Sequence, residues 1–192
     1  MARLVYSVIA SLDGYVADAN DDFSWAAPSP EVHRAVNDLE ASVGTYLYGR
    51  RMYDVMAAWQ DMPGLDEADA AIRDFATIWQ SANKVVYSTT LDTVTTPRTQ
   101  LERVFDARAV RDKVDELDRD VSIGGPTLAS HALRAGIVDE LHQFVVPVIV
   151  GAGTSCWPIG ARLALNLRGE HRFTDGTVHL HYRVLRPEHA EP

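Results

Sequence analysis

The feature that most restricts the fold is a change of rhythm along the chain. Up to residue 135, short β-prone runs alternate with segments of helical period; beyond it, four strand-like runs follow one another with no helix between. Arg3 to Ala10 is rich in Val, Ile, Leu and Tyr and runs into the turn signal Asp13-Gly14, which predicts a central strand. A polar loop, Asp18 to Pro28, precedes Ser29-Pro30-Glu31, where an N-cap, a proline at the first helical position and an acid in the first turn open a helix carrying Val32, Ala35, Val36, Leu39 and Val43. A strand at Thr45 to Tyr48, passing into a turn or helix start at Gly49, a helix over Asp66 to Ser81 and a strand at Lys84 to Ser88 continue the alternation. Val110, Val114 and Leu117 mark a further helix, Val121 to Ile123 a strand, and Pro126 to Ala135 a helix with Gly136 as its C′ residue. Glu140 to Val150, Arg162 to Leu167, His171 to Thr174 and Thr177 to Arg186 read as strands, with Asp175-Gly176 as a two-residue hairpin turn. βαβ units demand parallel pairing and hairpins antiparallel pairing. The expected fold is therefore three-layer α/β, a central mixed and mostly parallel sheet with an antiparallel C-terminal hairpin, in one domain across residues 1–192.

Charge and cysteine usage narrow the function classes. The 192 residues carry 18 Lys+Arg against 27 Asp+Glu, a net charge of -9, which argues against sequence-independent nucleic-acid binding because that mode needs a basic surface to displace counterions. The one cysteine, Cys156, cannot form an intrachain disulfide and suits a reducing compartment, so a cytoplasmic protein is expected. The longest apolar run, Phe144 to Ala152, is broken by Pro147 and falls short of the roughly 20 residues of a membrane span. A small-molecule partner is favoured.

Chemistry concentrates where strands end, the place at which open α/β sheets bind ligands. Gly49-Arg50-Arg51 puts two guanidinium groups beside a permissive backbone; Ser88-Thr89-Thr90 supplies three hydroxyls; Gly124-Gly125 opens a helix and lets its N–H groups approach a pyrophosphate. Together they describe a dinucleotide cradle, although neither G-x-G-x-x-G nor a P-loop is present.

Order and spacing add a resemblance. Ala10, Asp13-Gly14, Trp25 after an acidic loop, Tyr48-Gly49-Arg50-Arg51, Ser88-Thr89 and Ile123-Gly124-Gly125 match the dihydrofolate reductase fold in sequence order. The segments Ser11 to Ala17, Leu133 to Leu141 and Val146 to Gly153 more closely resemble the reductase domain of the bifunctional riboflavin-biosynthesis deaminase/reductase and its small stand-alone bacterial relatives. The resemblance implies an NADPH-dependent reductase acting on a pterin, a ribosylaminopyrimidine or a similar heterocycle. It places Ala10 and Ala17 at the nicotinamide, Arg50, Ser88 and Thr89 at the adenosine 2′-phosphate, Arg51 with Gly49 by the phosphates, and Gly124, Gly125, Thr127 and Leu128 at the pyrophosphate. Asp13 is the candidate catalytic group, and Trp25, Glu31, His33 and Tyr53 are candidates for the substrate end. Two positions depart from the pattern: counting back from Gly49 reaches His33, with Glu31 two residues before it, where folate reductases carry a helix-one carboxylate, and Met52 stands at a usual threonine. The deaminase zinc pattern is absent from the chain.

Three readings follow: the reductase; a catalytically idle NADP(H)-binding sensor or sequestering protein; and a true dihydrofolate reductase. No metal site is expected, since His179 and His181 share a strand face whose plainer reading is a wet or interfacial surface, and the Asp18, Asn20, Asp22 run lacks a calcium loop's glycine and bidentate Glu. Cys156 reads as an inert buried thiol, Trp59 as either core or an aromatic wall, and Asp54 and Gln60 as a solvated helix face. The Phe144 to Val150 strand with the His179/His181 face suggests a homodimer.

Overall fold

The computed structural model describes residues 1–185. Eight strands form one sheet in the order β5-β4-β3-β6-β1-β7-β10-β9: β1 (Leu4–Ser11), β3 (Val43–Gly49), β4 (Asn83–Tyr87), β5 (Thr99–Glu102), β6 (Asp120–Gly124), β7 (Glu140–Val146), β9 (Ala164–Arg172) and β10 (Val178–Leu185). The first six are mutually parallel; β10 runs antiparallel to β7, and β9 antiparallel to β10. A separate two-stranded ribbon pairs β2 (Tyr15–Asp18) with β8 (Gly153–Ser155).

Helices cover both faces. On one side lie α1 (Pro30–Glu40), α2 (Arg50–Met56) and α3 (Ala70–Ser81); on the other, α4 (Ala107–Asp115) and α5 (Pro126–Arg134). The sheet alternation explains the division: Tyr46, Tyr48 and Val86 meet Tyr53, Phe75 and Trp79, whereas Leu47, Val85, Val121 and Ile123 meet Val110, Val114, Leu128 and Leu133. Trp79 is fully buried and donates its indole N–H to the Tyr48 hydroxyl at 3.2 Å. Truncating such a residue costs about 3–5 kcal/mol. Asn37 of α1 donates to the Ala71 carbonyl of α3 at 2.7 Å, fixing the two helices to each other.

The predicted three-layer sheet with an antiparallel C-terminal hairpin is the observed architecture, with local corrections. Helix α1 stops at Glu40; Val43, expected on its apolar face, begins β3 and pairs with Asp120, because a residue four past Leu39 fits a helical stripe and a strand start equally well. The second predicted helix starts at Ala70, where the Asp69 side chain accepts the Ala71 N–H, and residues 65–67 form a separate 3-10 turn. Strand β7 ends before Pro147, which has no N–H to give the ladder, so Val148–Val150 leave the sheet and Ile149 is exposed. The runs at Arg162 and His171 are one strand, β9, whose register shifts opposite His181/Tyr182. The Asp175-Gly176 turn is a three-residue loop closed by Phe173 and Thr177, with Gly176 at φ 89° as the bulge. Strands β2, β5 and β8 were not foreseen: each has only three or four residues. Arg186, expected to end the last strand, lies outside the described residues.

The His179/His181 face is not bare. His179 stacks on buried Phe144 with centroids 4.4 Å apart, and His181 on buried His142 at 4.1 Å. Both histidines are partly buried on the side that α1 shields. Among the described residues no helix is long and apolar enough to cross a membrane.

Candidate active site

Parallel pairing sets the carboxyl ends of β4, β3, β6 and β1 side by side, and the expected cofactor residues fall on those ends in that order. At the usual strand spacing of roughly 4.8 Å the four ends span about 14 Å. Ser88 and Thr89 follow β4; Gly49 closes β3 with Arg50 and Arg51 opening α2; Gly124 closes β6, with Gly125, Thr127 and Leu128 opening α5; Ala10, fully buried, lies at the end of β1. Ala17, also buried, sits one layer over, in the β2–β8 ribbon.

Direct contact joins the first two ends. Arg50 donates from Nη1 to Thr90 Oγ1 at 3.0 Å, while its Nε lies 3.6 Å from Asp54. The Ser88 hydroxyl accepts the N–H groups of Thr90 and Leu91, so this side chain shapes the turn that presents exposed Thr89. Arg103, which the sequence reading passed over, holds the same turn from beneath by donating to the carbonyls of Ser88 and Leu91 at 3.0 and 2.6 Å. Its signal was faint: one arginine just after an unforeseen strand. Arg51 is largely exposed and approaches Asp21 of the acidic loop at 3.9 Å.

The glycine pair has two causes. A Cβ on Gly124 would stand 2.7 Å from the Tyr48 ring and 3.3 Å from Met52, so packing alone forbids a side chain. Gly125 has φ 88° and caps α5 with no side-chain acceptor over the first turn. An uncapped helix start with Gly before it is a ready anion site. Leu128 is buried in the core, so only its backbone faces that end, whereas Thr127 is exposed. Met52 walls the glycines where a hydroxyl would otherwise stand.

The substrate-end candidates do not converge. Asp13 is exposed, and its two carboxylate oxygens accept the N–H groups of Val150 and Gly151 at 3.2 and 2.7 Å. Hydrogen bonds from Ser11 first, and then from these amides, hold it below the usual carboxylate range. Glu31 accepts from the backbone and hydroxyl of Thr174 at 3.0 and 2.6 Å, tying α1 to the β9–β10 loop, and those bonds keep it ionised. His33 turns the other way, edge-on to Trp59 and tilted on Phe75, and burial lowers its pKa. Tyr53 is buried, its hydroxyl accepting the N–H groups of Thr95 and Thr96. Trp25 alone keeps a loop position, in a 3-10 turn against β1, with its indole N–H on the Asp22 carbonyl. Gln60 and Trp59 are held together by Gln80, which donates to both carbonyls. Burial pushes the Cys156 thiol up to about 12, consistent with an inert group.

The strand order and the row of donors at the strand ends define a dihydrofolate reductase-like α/β protein. Residues 2–179 match the RibD C-terminal domain family, and the chain belongs to it. Protein YyaP of Bacillus subtilis (strain 168) is 23% identical over 186 residues, covering 94% of each chain. A solved structure from Shewanella sp. PV-4 superposes with a TM-score of 0.75 at 20% identity, over 96% of this chain and 99% of the other. A pyrimidine reductase-like protein from Corynebacterium diphtheriae NCTC gives a TM-score of 0.68 at 13% identity, over 96% and 92%.

Proposed function

We propose that this chain is a reductase that takes NADPH across the carboxyl ends of β4, β3, β6 and β1 and reduces a small heterocycle, a ribosylaminopyrimidine or pterin in class. Membership of the RibD C-terminal family and the fold shared with a pyrimidine reductase-like protein support the class. The observation that carries the cofactor is the Arg50–Thr90 contact above the Ser88 turn, two strands from the uncapped, glycine-led start of α5. That arrangement suits a ligand with a phosphate at each position. Arg50, Thr89 and Thr90 would grip the 2′-phosphate, and the Gly125, Thr127 and Leu128 backbone would take the pyrophosphate. Bound there, the cofactor supplies a hydride.

The protein's own part is positioning. Asp13 clamps residues 150–151 over the end of β1 and thereby shapes the mouth of the site; an ionised, doubly hydrogen-bonded carboxylate is better suited to orienting than to giving up a proton. The same fact sustains the idle NADP(H)-binding reading, since Asp13, Glu31 and His33 are all engaged elsewhere. Folate reduction is the weakest reading because Glu31 is spent on Thr174. Fluorescence titration with NADPH and NADH tests the cradle: tighter NADPH binding is expected, and equal affinities would overturn it. Loss of nicotinamide absorbance over a panel of pyrimidines and pterins then separates enzyme from sensor.

A further inference from the structure

At the amino-terminal ends of the strands, opposite the cradle and on the face that carries α1, a second polar cluster forms. Glu140, the first residue of β7, turns its Oε2 toward three nitrogens: Arg3 Nη1 at 2.9 Å, His181 Nε2 at 3.2 Å and His142 Nε2 at 3.8 Å. His142 and His181 are directly paired in the β7–β10 ladder, so antiparallel register itself brings them side by side. One donor atom from each of Glu140, His142 and His181 lies within 4.8 Å of the others. Ligand atoms on one tetrahedral zinc, with bonds of about 2.0–2.2 Å, stand roughly 3.4 Å apart, so the three groups are near enough to close on an ion once their lone pairs are turned toward one point.

A separate observation points to a ligand. The cluster borders a cavity of about 90 Å³, which Glu40 at the end of α1 also lines. Glu40 is only 6% exposed; its carboxyl lies beside the buried Tyr46 hydroxyl, yet neither its Oε2 nor that hydroxyl has a hydrogen bond of normal geometry. A buried, unpartnered carboxylate oxygen is costly, and an ion or water is what normally relieves it. On the far side of His142, Nδ1 lies 3.0 Å from His179 Nε2, the kind of outer contact that fixes a ligand ring's tautomer and orientation.

We propose that Glu140, His142 and His181 form a binding site for one divalent transition-metal ion of the zinc class, with Glu40 supplying a further oxygen directly or through water. Two imidazoles with carboxylates favour Zn²⁺, Co²⁺ or Ni²⁺ over Mg²⁺ and Ca²⁺, which prefer oxygen ligands throughout. Two adjustments are needed. Arg3 must release Glu140, and it is half exposed and retains Asp120 when it does. The His142 and His181 rings are stacked, so one must turn; His181, with 26% of its side chain exposed, has the room. An ion held there fastens the antiparallel β10 to the parallel sheet and to the end of α1, a structural site remote from the cradle.

The test is a Co²⁺ titration of the full chain, stripped of metal with a chelator, at neutral pH. The expected result is visible d–d absorption that saturates at one equivalent, with Zn²⁺ displacing Co²⁺ and Mg²⁺ inert. At about 100 times its dissociation constant the ion should raise the melting temperature by roughly 5–10 °C. His181→Gln, at a partly exposed position that leaves the core intact, should abolish both signals, and Glu140→Gln should weaken Co²⁺ at least about tenfold. Absence of saturable absorption in the wild-type protein, or absorption that survives His181→Gln, overturns the proposal.

Discussion

Replacing Glu40 with Gln should change how the stability of this protein depends on pH. Burial pushes the Glu40 carboxyl from 4.5 up to about 7, with the nearby Tyr46 hydroxyl only partly opposing it. Folding therefore favours the protonated form: the contribution is fully present below pH about 4.5 and is lost as pH rises through about 7. One pKa unit corresponds to about 1.36 kcal/mol, so ionising Glu40 in the folded protein costs about 3 kcal/mol by roughly pH 8. Other groups also titrate. Glu140 is held at about 2 by the His142 imidazole 3.8 Å away and by the Arg3 guanidinium and His181 beside it, so its contribution is present above about 4.5 and lost as pH falls through 2. His179 is pushed down to about 4 by burial, so its contribution is present above about 6.5 and lost as pH falls through 4. Both are common to wild type and variant, so the difference between the two proteins isolates Glu40. Urea denaturation of each, with chelator present to keep metal away, should show Glu40→Gln equal to wild type near pH 4 and about 3 kcal/mol more stable near pH 8. For a domain of this size that gain corresponds to roughly 6–12 °C in melting temperature. A difference that does not vary with pH would refute the reasoning.

Arg50→Ala should weaken NADPH by about 1–3 kcal/mol, the value of a charge-assisted contact, and NADH far less; as the side chain is half exposed, thermal stability should move by under about 1 kcal/mol. Equal losses for both cofactors in a fluorescence titration would remove Arg50 from the 2′-phosphate. Gly124→Ala should cost about 1–3 kcal/mol in denaturation because of the Tyr48 ring, whereas Gly169→Ala, with open space around it, should be near neutral. Asp13→Asn should accelerate hydrogen exchange at the Val150 and Gly151 amides; unchanged exchange would show that the carboxylate is no clamp. The His179/His181 face on which the sequence suggests a homodimer is shielded by α1, so a dimer would instead have to cover edge strand β9, where Leu165 and Leu167 are exposed; equilibrium sedimentation should detect it. A monomer at micromolar concentration would exclude it.

The alignment of the candidate cofactor residues along one row of strand ends was legible because those residues are local signals. Glycine before a helix, arginine after a strand and hydroxyls at a turn announce themselves within four residues, and parallel pairing then aligns them whatever the rest of the chain does. The surroundings of the substrate-end candidates were not legible for the opposite reason. Glu31 meets a partner 143 positions away and Asp13 one 137 positions away, and no spacing in the sequence encodes those meetings.

The sequence by itself determined the alternation of strand and helix, the switch to antiparallel pairing and the glycines and arginines at the strand ends, since period and backbone permissiveness are properties of neighbouring residues. Only the tertiary structure decided which polar groups meet. Spacing groups His181 with His179, two residues away on one strand. Register across β7 and β10 instead stacks it on His142 beside Glu140, because a sheet brings together side chains on adjacent strands more closely than those on the same strand.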